Sequence, residues 1–172
     1  MIADSVGQLT GSRVRTLEPV GGGDVCVAHR CRLDDGRTVF VKSRAGSPPD
    51  FFSGEAAGLR QLAAVPGGVP VPAVIGSGDT CLVLEWVEPG PPSAAAAEQL
   101  GRALARTHRA GMAAFGNADG DGWIATLPLP GGPWTAWVDF WAEGRVRPFL
   151  RAATARGAVR ADDAGDVERV LR

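Results

Sequence analysis

Apolar and polar positions along the chain fall into two alternating regimes. A short helix expected at about 3–10 precedes a stretch of period-two alternation. There, 13–20, 25–33 and 37–43 read as strands, because side chains two apart share one face of a strand. Gly21-Gly22-Gly23-Asp24 breaks the first pair, and Asp34-Asp35-Gly36 is a hairpin signal between the second and third. An antiparallel three-strand meander follows from these breaks. Two prolines and Asp50 then start a helix over about 50–64, and Pro66-Gly67-Gly68 stops it. Its inward stripe is expected to be Phe52, Glu55, Leu59 and Leu62, at steps of three, four and three. Strands are expected at 71–78 and 80–87, the second reading "CLVLEWV".

Beyond the proline-rich "EPGPPS", the period lengthens. Ser93 is placed to cap a helix to about Ala110, with Gly111 as its stop. His108, four residues after Leu104, is expected on the packed side of that helix. Residues 115–133 read as a long Gly/Pro/Asp loop. Residues 134–156 read as helical, with Trp137, Trp141 and Phe149 near one face and Pro148 as a kink or break. A last helix is expected from Ala161.

Bulk numbers narrow the class. With 172 residues, 45% hydrophobic and 22% charged, the chain has the composition of a globular protein of one domain or slightly more. A net charge of −1 without a basic patch gives no nucleic-acid footprint. No apolar run approaches a membrane span, and the first residues have no basic n-region or apolar h-region of a secretory signal. Three cysteines are an odd count, which argues against a disulfide framework and fits a reducing cytoplasm. In "DVCVAHRC", alternation places His29 and Cys31 on one face and Cys26 on the other, which disfavours a zinc site. Whether Cys26 is redox-active is left open.

One charge stands out. Of 18 Lys and Arg residues, Lys42 is the only lysine, and it ends the apolar run "VFVK". Two readings are open at this point. It is either a strand-end lysine that snorkels to water, or a compact point charge for phosphate oxygens. Glu55 poses a matching choice. A carboxylate on an apolar helix face is either paired, with Lys42 as a plausible partner, or turned out to solvent.

The ordered set of segments decides between these. "VGGGDVCVAHRCRLDDGRTVFVKS", "FFSGEAAGLRQLA", "LVLEWVEPGPP", "LGRALARTHRAG", "FGNADGDGWIATLPLP" and "WVDFWAEGRVRPFL" together resemble the fructosamine kinase (ketosamine-3-kinase) family over essentially the whole chain. The resemblance implies an α+β, protein-kinase-like fold. That fold has a five-stranded antiparallel small lobe with one packed helix (1–88, nucleotide-binding), then a linker and the first helices of a helical large lobe (89–172). It further implies a cytoplasmic kinase that uses ATP and Mg²⁺ to phosphorylate the sugar 3-hydroxyl of fructosamines or ribulosamines, free or protein-bound, in deglycation.

By matched position, Gly21, Gly22, Gly23 and Asp24 would cover the phosphates. Lys42 would hold α/β-oxygens, with Glu55 orienting it. The Glu85 carbonyl and Val87 N–H would be the hinge pair for adenine, and Trp123 would approach the sugar. The sequence departs from the family at Ala125, where glycine is usual, and at Gly132, where asparagine is frequent. These departures bear on substrate preference.

The chain also lacks the family's "HGD…N" segment. Neither His29 nor His108 begins it, and the only asparagine, Asn117, has Met112 five residues before it. No catalytic-loop Asp or Asn and no metal Asp is therefore assigned. The expectation is an N-terminal portion of the family, inactive alone, whose exposed large-lobe surface permits self-association. Two other functions compete: another kinase-like phosphotransferase (aminoglycoside, choline or homoserine type), and a non-catalytic nucleotide-binding or interaction module.

Overall fold

The computed structural model describes residues 1–21, 23–117 and 120–171. It divides into two compact units, Met1–Gly111 and Met112–Arg172. The sequence places its boundary earlier, at 88/89, where the proline-rich linker begins. The helix after the linker stays with the first unit because Val69 N–H donates to Thr107 Oγ1 at 2.9 Å and Arg106 Nη1 to the Gly67 carbonyl at 3.4 Å.

In the first unit, α1 (Ile2–Thr10) leads into β1 (Val14–Val20), β2 (Val27–Leu33) and β3 (Thr38–Ser43). Then follow α2 (Phe51–Ala63), β4 (Val74–Ser77), β5 (Cys81–Glu85) and α3 (Ala94–Ala110). The strands form one antiparallel sheet in the order β1-β2-β3-β5-β4. The Asp34-Asp35-Gly36 turn joins β2 to β3 as expected, with Gly36 at φ 87°.

Both faces of the sheet are covered, which explains why "CLVL" is buried at every position. Val39, Val41, Cys81 and Val83 pack on the α1 side with Val6. Leu82 and Leu84 pack on the other side with Phe52 and Ala56 of α2. Gly76 lets α1 approach, since a Cβ there would come 3.1 Å from Leu9 Cβ.

Several expectations are corrected. The second strand begins at Val27, so Val25 and Cys26 belong to the turn. Leu62 is exposed; the buried stripe of α2 is Phe52 and Ala56, with Leu59 partly buried. His108 is exposed, because α3 buries only Ala103. The Ser93 cap is present, its Oγ accepting from Ala96 N–H at 3.1 Å.

The second unit begins with the segment read as a loop. It contains a hairpin, β6 (Gly122–Ile124) and β7 (Leu127–Leu129). The hairpin lies inside a longer excursion closed by mutual Phe115–Trp134 backbone hydrogen bonds. α4 (Trp137–Trp141) runs through a π-helical turn, Ala142–Val146, into α5 (Arg147–Ala155), followed by α6 (Ala161–Val170). The break expected at Pro148 is thus a widened turn just before it, and Pro148 sits in the first turn of α5. Arg147 ties these pieces together, donating to Glu143 and, at 2.9 Å, to Glu168. No helix among the described residues is long and apolar enough to cross a membrane.

Candidate functional site

Strand alternation decides where Lys42 points. Val39 and Val41 face α1, so Phe40 and Lys42 face α2. Glu55 lies one turn into α2, between the buried Phe52 and Ala56. Lys42 Nζ donates to both Glu55 oxygens, at 2.9 and 2.7 Å. About a third of each side chain is exposed, 30% and 34%. A forked contact of this kind holds the ammonium at a fixed point of the sheet face while leaving it open to solvent.

Around this pair lie the exit of the glycine turn and the end of β3. Cys26 is buried beside Phe52 and Leu82. Burial pushes its thiol up from the ordinary range; Lys42 opposes that shift, Glu55 adds to it, and Arg44 opposes it. Cys26 therefore sits within electrostatic reach of the Lys42–Glu55 pair, yet as a protonated thiol. In the glycine turn, Gly21 and Asp24 are exposed, and Gly23 has φ 104°. A Cβ at Gly23 would come 3.1 Å from the Cys26 carbonyl. Gly22 lies outside the described residues.

At the other end of β5, Glu85 N–H donates to the Ala73 carbonyl at 2.8 Å, and its Oε2 accepts from Ala73 N–H at 3.2 Å. This double contact fixes the strand end. Val87, two residues on, is 62% exposed, and its N–H has no partner among the described residues. Sequence reasoning missed the flank of this segment. Arg30 stacks over Trp86 at 4.9 Å and pairs with Glu88 at 2.9 Å. Arg30 pairs across the ladder with Phe40, so the register set by the Asp34-Asp35-Gly36 turn puts it on the Lys42 face.

In the second unit, Trp123 is partly buried in β6 opposite Pro128. In the turn after it, Ala125 has φ 52°, a left-handed conformation that glycine adopts more readily than alanine. Gly132 is explained by space, since a Cβ there would lie 2.7 Å from Trp134 Cδ1. Trp137, Phe140 and Trp141 form an aromatic cluster with Phe115, and Trp137 and Trp141 stack at 5.7 Å.

The described residues form no all-protein cage for a divalent metal. Among the described residues no three of His, Cys, Asp and Glu come together as a ligand set. What the first unit does hold is a fixed ammonium, a glycine turn and a strand end with an open N–H, all on one antiparallel sheet.

The fructosamine kinase family model matches residues 1–172. A Synechocystis protein named as a ketoamine kinase is 35% identical over 98% of this chain and 59% of its own length. A Thermus thermophilus protein of the same name is 38% identical over 80% of this chain and 48% of its own length. The crystal structure of a Thermobifida fusca protein described as a fructosamine-3-kinase superposes with a TM-score of 0.89. It is 39% identical and covers 99% of this chain, which covers 59% of it. The chain thus spans about three-fifths of the Synechocystis and Thermobifida proteins' lengths. It belongs to the fructosamine kinase family.

Proposed function

We propose that the first unit binds ATP for phosphoryl transfer to the sugar 3-hydroxyl of a ketoamine, a fructosamine or ribulosamine, as part of protein deglycation. The observation that carries this reading is the Lys42–Glu55 pair, with Nζ 2.7 and 2.9 Å from the two carboxylate oxygens. Lys42 would contact α/β-phosphate oxygens while Glu55 holds it in place. Gly21 to Asp24 would close over the phosphates, where backbone N–H groups approach anions most closely. The Glu85 carbonyl would accept from the adenine amino group and the Val87 N–H would donate to the ring. Trp123 would contribute to the sugar side.

Mg²⁺ belongs to this chemistry in the family, and no three of His, Cys, Asp and Glu among the described residues come together to hold it. No step is therefore assigned to a metal held by this chain. Phosphoryl transfer is accelerated almost wholly by positioning and by electrostatic stabilisation of the transferring group. A chain that positions ATP without a proton acceptor or metal ligands should fall short by on the order of 10³-fold or more. We therefore infer that these 172 residues bind nucleotide but do not turn over alone. The same observation favours, as a second reading, a nucleotide-binding module without catalysis.

The test is phosphorylation of fructosyl-lysine with labelled ATP, run beside the full-length Thermobifida fusca relative. The reading expects turnover by the relative and none above background by this chain. Turnover at a comparable rate would show that the catalytic residues lie within these 172 positions.

A further inference from the structure

Lys42 alone does not make the sheet face cationic. Its charge is matched by Glu55, so the pair is neutral in sum. A polyphosphate with three or four negative charges needs an uncompensated cation nearby. Arg44 supplies one. It lies one residue past the end of β3, and its contact with Phe51 at the start of α2 puts it on the Lys42 side. The β2–β3 register ends at the Val27–Ser43 pair, and the charge of Arg44, one residue on, reaches the Cys26 thiol at the exit of the glycine turn. The Arg44 N–H donates to the Thr80 carbonyl at 3.1 Å, which fixes the backbone just past β3.

The guanidinium is positioned and yet unpaired. It stacks over the Phe51 ring, 5.2 Å from the centroid, at the start of α2. Its Nη1 is buried without a hydrogen-bond partner. No carboxylate among the described residues pairs with it, including Asp24, Asp50 and Asp79 on the neighbouring turns. Buried donors in folded proteins are nearly always satisfied, and a buried Nη1 without an acceptor is an exception that calls for an explanation. Cys26 reports the same proximity, because both Lys42 and Arg44 act on its thiol.

We propose that Arg44 is a second phosphate-binding cation of the nucleotide site, contacting the terminal part of the polyphosphate as it emerges under the glycine turn. The proposal rests on the nucleotide reading above and assigns the site's net positive charge to Arg44. Phe51 is its positioning residue, holding the planar fork by stacking. The ligand class is a polyphosphate anion, with or without a nucleoside.

The experiment is calorimetric titration of the whole chain with ATP, AMP and inorganic tripolyphosphate at fixed ionic strength. The variants are Arg44→Gln, Arg44→Lys, Arg44→Met and Lys42→Met. Arg44→Met keeps the apolar contact with Phe51 should Arg44→Gln lose its fold. The expected result is about tenfold or greater weakening of ATP and tripolyphosphate by Arg44→Gln and Arg44→Met, with AMP nearly unchanged and partial recovery in Arg44→Lys. Unchanged ATP and tripolyphosphate affinity in the Arg44 variants, with Lys42→Met still weakened, overturns the Arg44 assignment and leaves the nucleotide reading standing. Tripolyphosphate binding that depends on Arg44 and equals ATP binding supports the anion site and removes the hinge from it. No binding of either ligand overturns both.

Discussion

Removing the Lys42 ammonium tests the packing of α2 against the sheet before any ligand is added. In Lys42→Met, Glu55 loses two charge-assisted hydrogen bonds, at 2.9 and 2.7 Å, and stays between Phe52 and Ala56. Fully exposed pairs contribute about 0–1 kcal/mol, and breaking a fully buried pair costs about 3–5 kcal/mol. With 30% and 34% of the side chains exposed, the pair lies between these limits. The coupling expected is about 1–2 kcal/mol. The assay is a double-mutant cycle of Lys42→Met, Glu55→Gln and the double variant, read by urea unfolding. Each single variant should lose stability, and the double variant less than the two losses combined. For a unit of this size, 1 kcal/mol is a shift of about 4–8 °C in Tm. Strict additivity, with a coupling below about 0.3 kcal/mol, would show that the pair does not form in solution and that α2 is not held to β3 by it.

Four further outcomes are expected. The Arg37 side chain, bonded to Asp35 at 2.6 and 2.8 Å, holds the Asp35 carboxyl down at about 2 against an ordinary 3.8. A depressed carboxyl stabilises the fold above its unfolded value and loses that contribution as pH falls through about 2. The stability difference between wild type and Asp35→Asn should therefore shrink between about pH 4 and pH 2, and a difference independent of pH would contradict it. Cys26, Cys31 and Cys81 are buried with thiols pushed up by burial, so a thiol reagent at neutral pH should label the native chain negligibly and all three after unfolding. Ala125→Gly should stabilise the second unit by about 0.5–1 kcal/mol, measured by thermal unfolding, because Ala125 has φ 52°. Trp137, Val138 and Trp141 are 53%, 70% and 48% exposed, so sedimentation should show concentration-dependent association that Trp137→Ser with Trp141→Ser reduces.

The small sheet was legible because its signals are local. Each strand carries period-two alternation, and the Asp-Asp-Gly turn sets its own register. The Lys42–Glu55 pair could be read from two anomalies, a lone lysine after Val-Phe-Val and a carboxylate on an apolar stripe. Arg44 and Arg30 were not singled out, because in a chain with 17 arginines neither is unusual by type. The β2–β3 register puts Arg30 on the Lys42 face, and the contact with Phe51 puts Arg44 there.

Leu62 was misplaced because α2 covers the sheet along only part of its length, and His108 because α3 is held by Gly67 and Val69 rather than by the sheet and buries only Ala103. The 115–133 segment hid its hairpin because each of its strands has only three residues, too short for alternation to register. Its turn also carries alanine rather than glycine at the left-handed position. The π-helical turn has no sequence signature beyond its nearness to Pro148.

The claim that unit one is a nucleotide site anchored on Lys42 is tested most directly by ATP binding to the wild-type chain, Lys42→Arg and Lys42→Met, measured by calorimetry under identical salt. Lys42 acts as a compact charge shared between Glu55 and phosphate, which neither a bulkier guanidinium nor a neutral thioether reproduces. The account predicts measurable binding by the wild type and a loss of about tenfold or more in both variants. Equal affinity in all three would remove Lys42 from the site and contradict the nucleotide reading of this sheet.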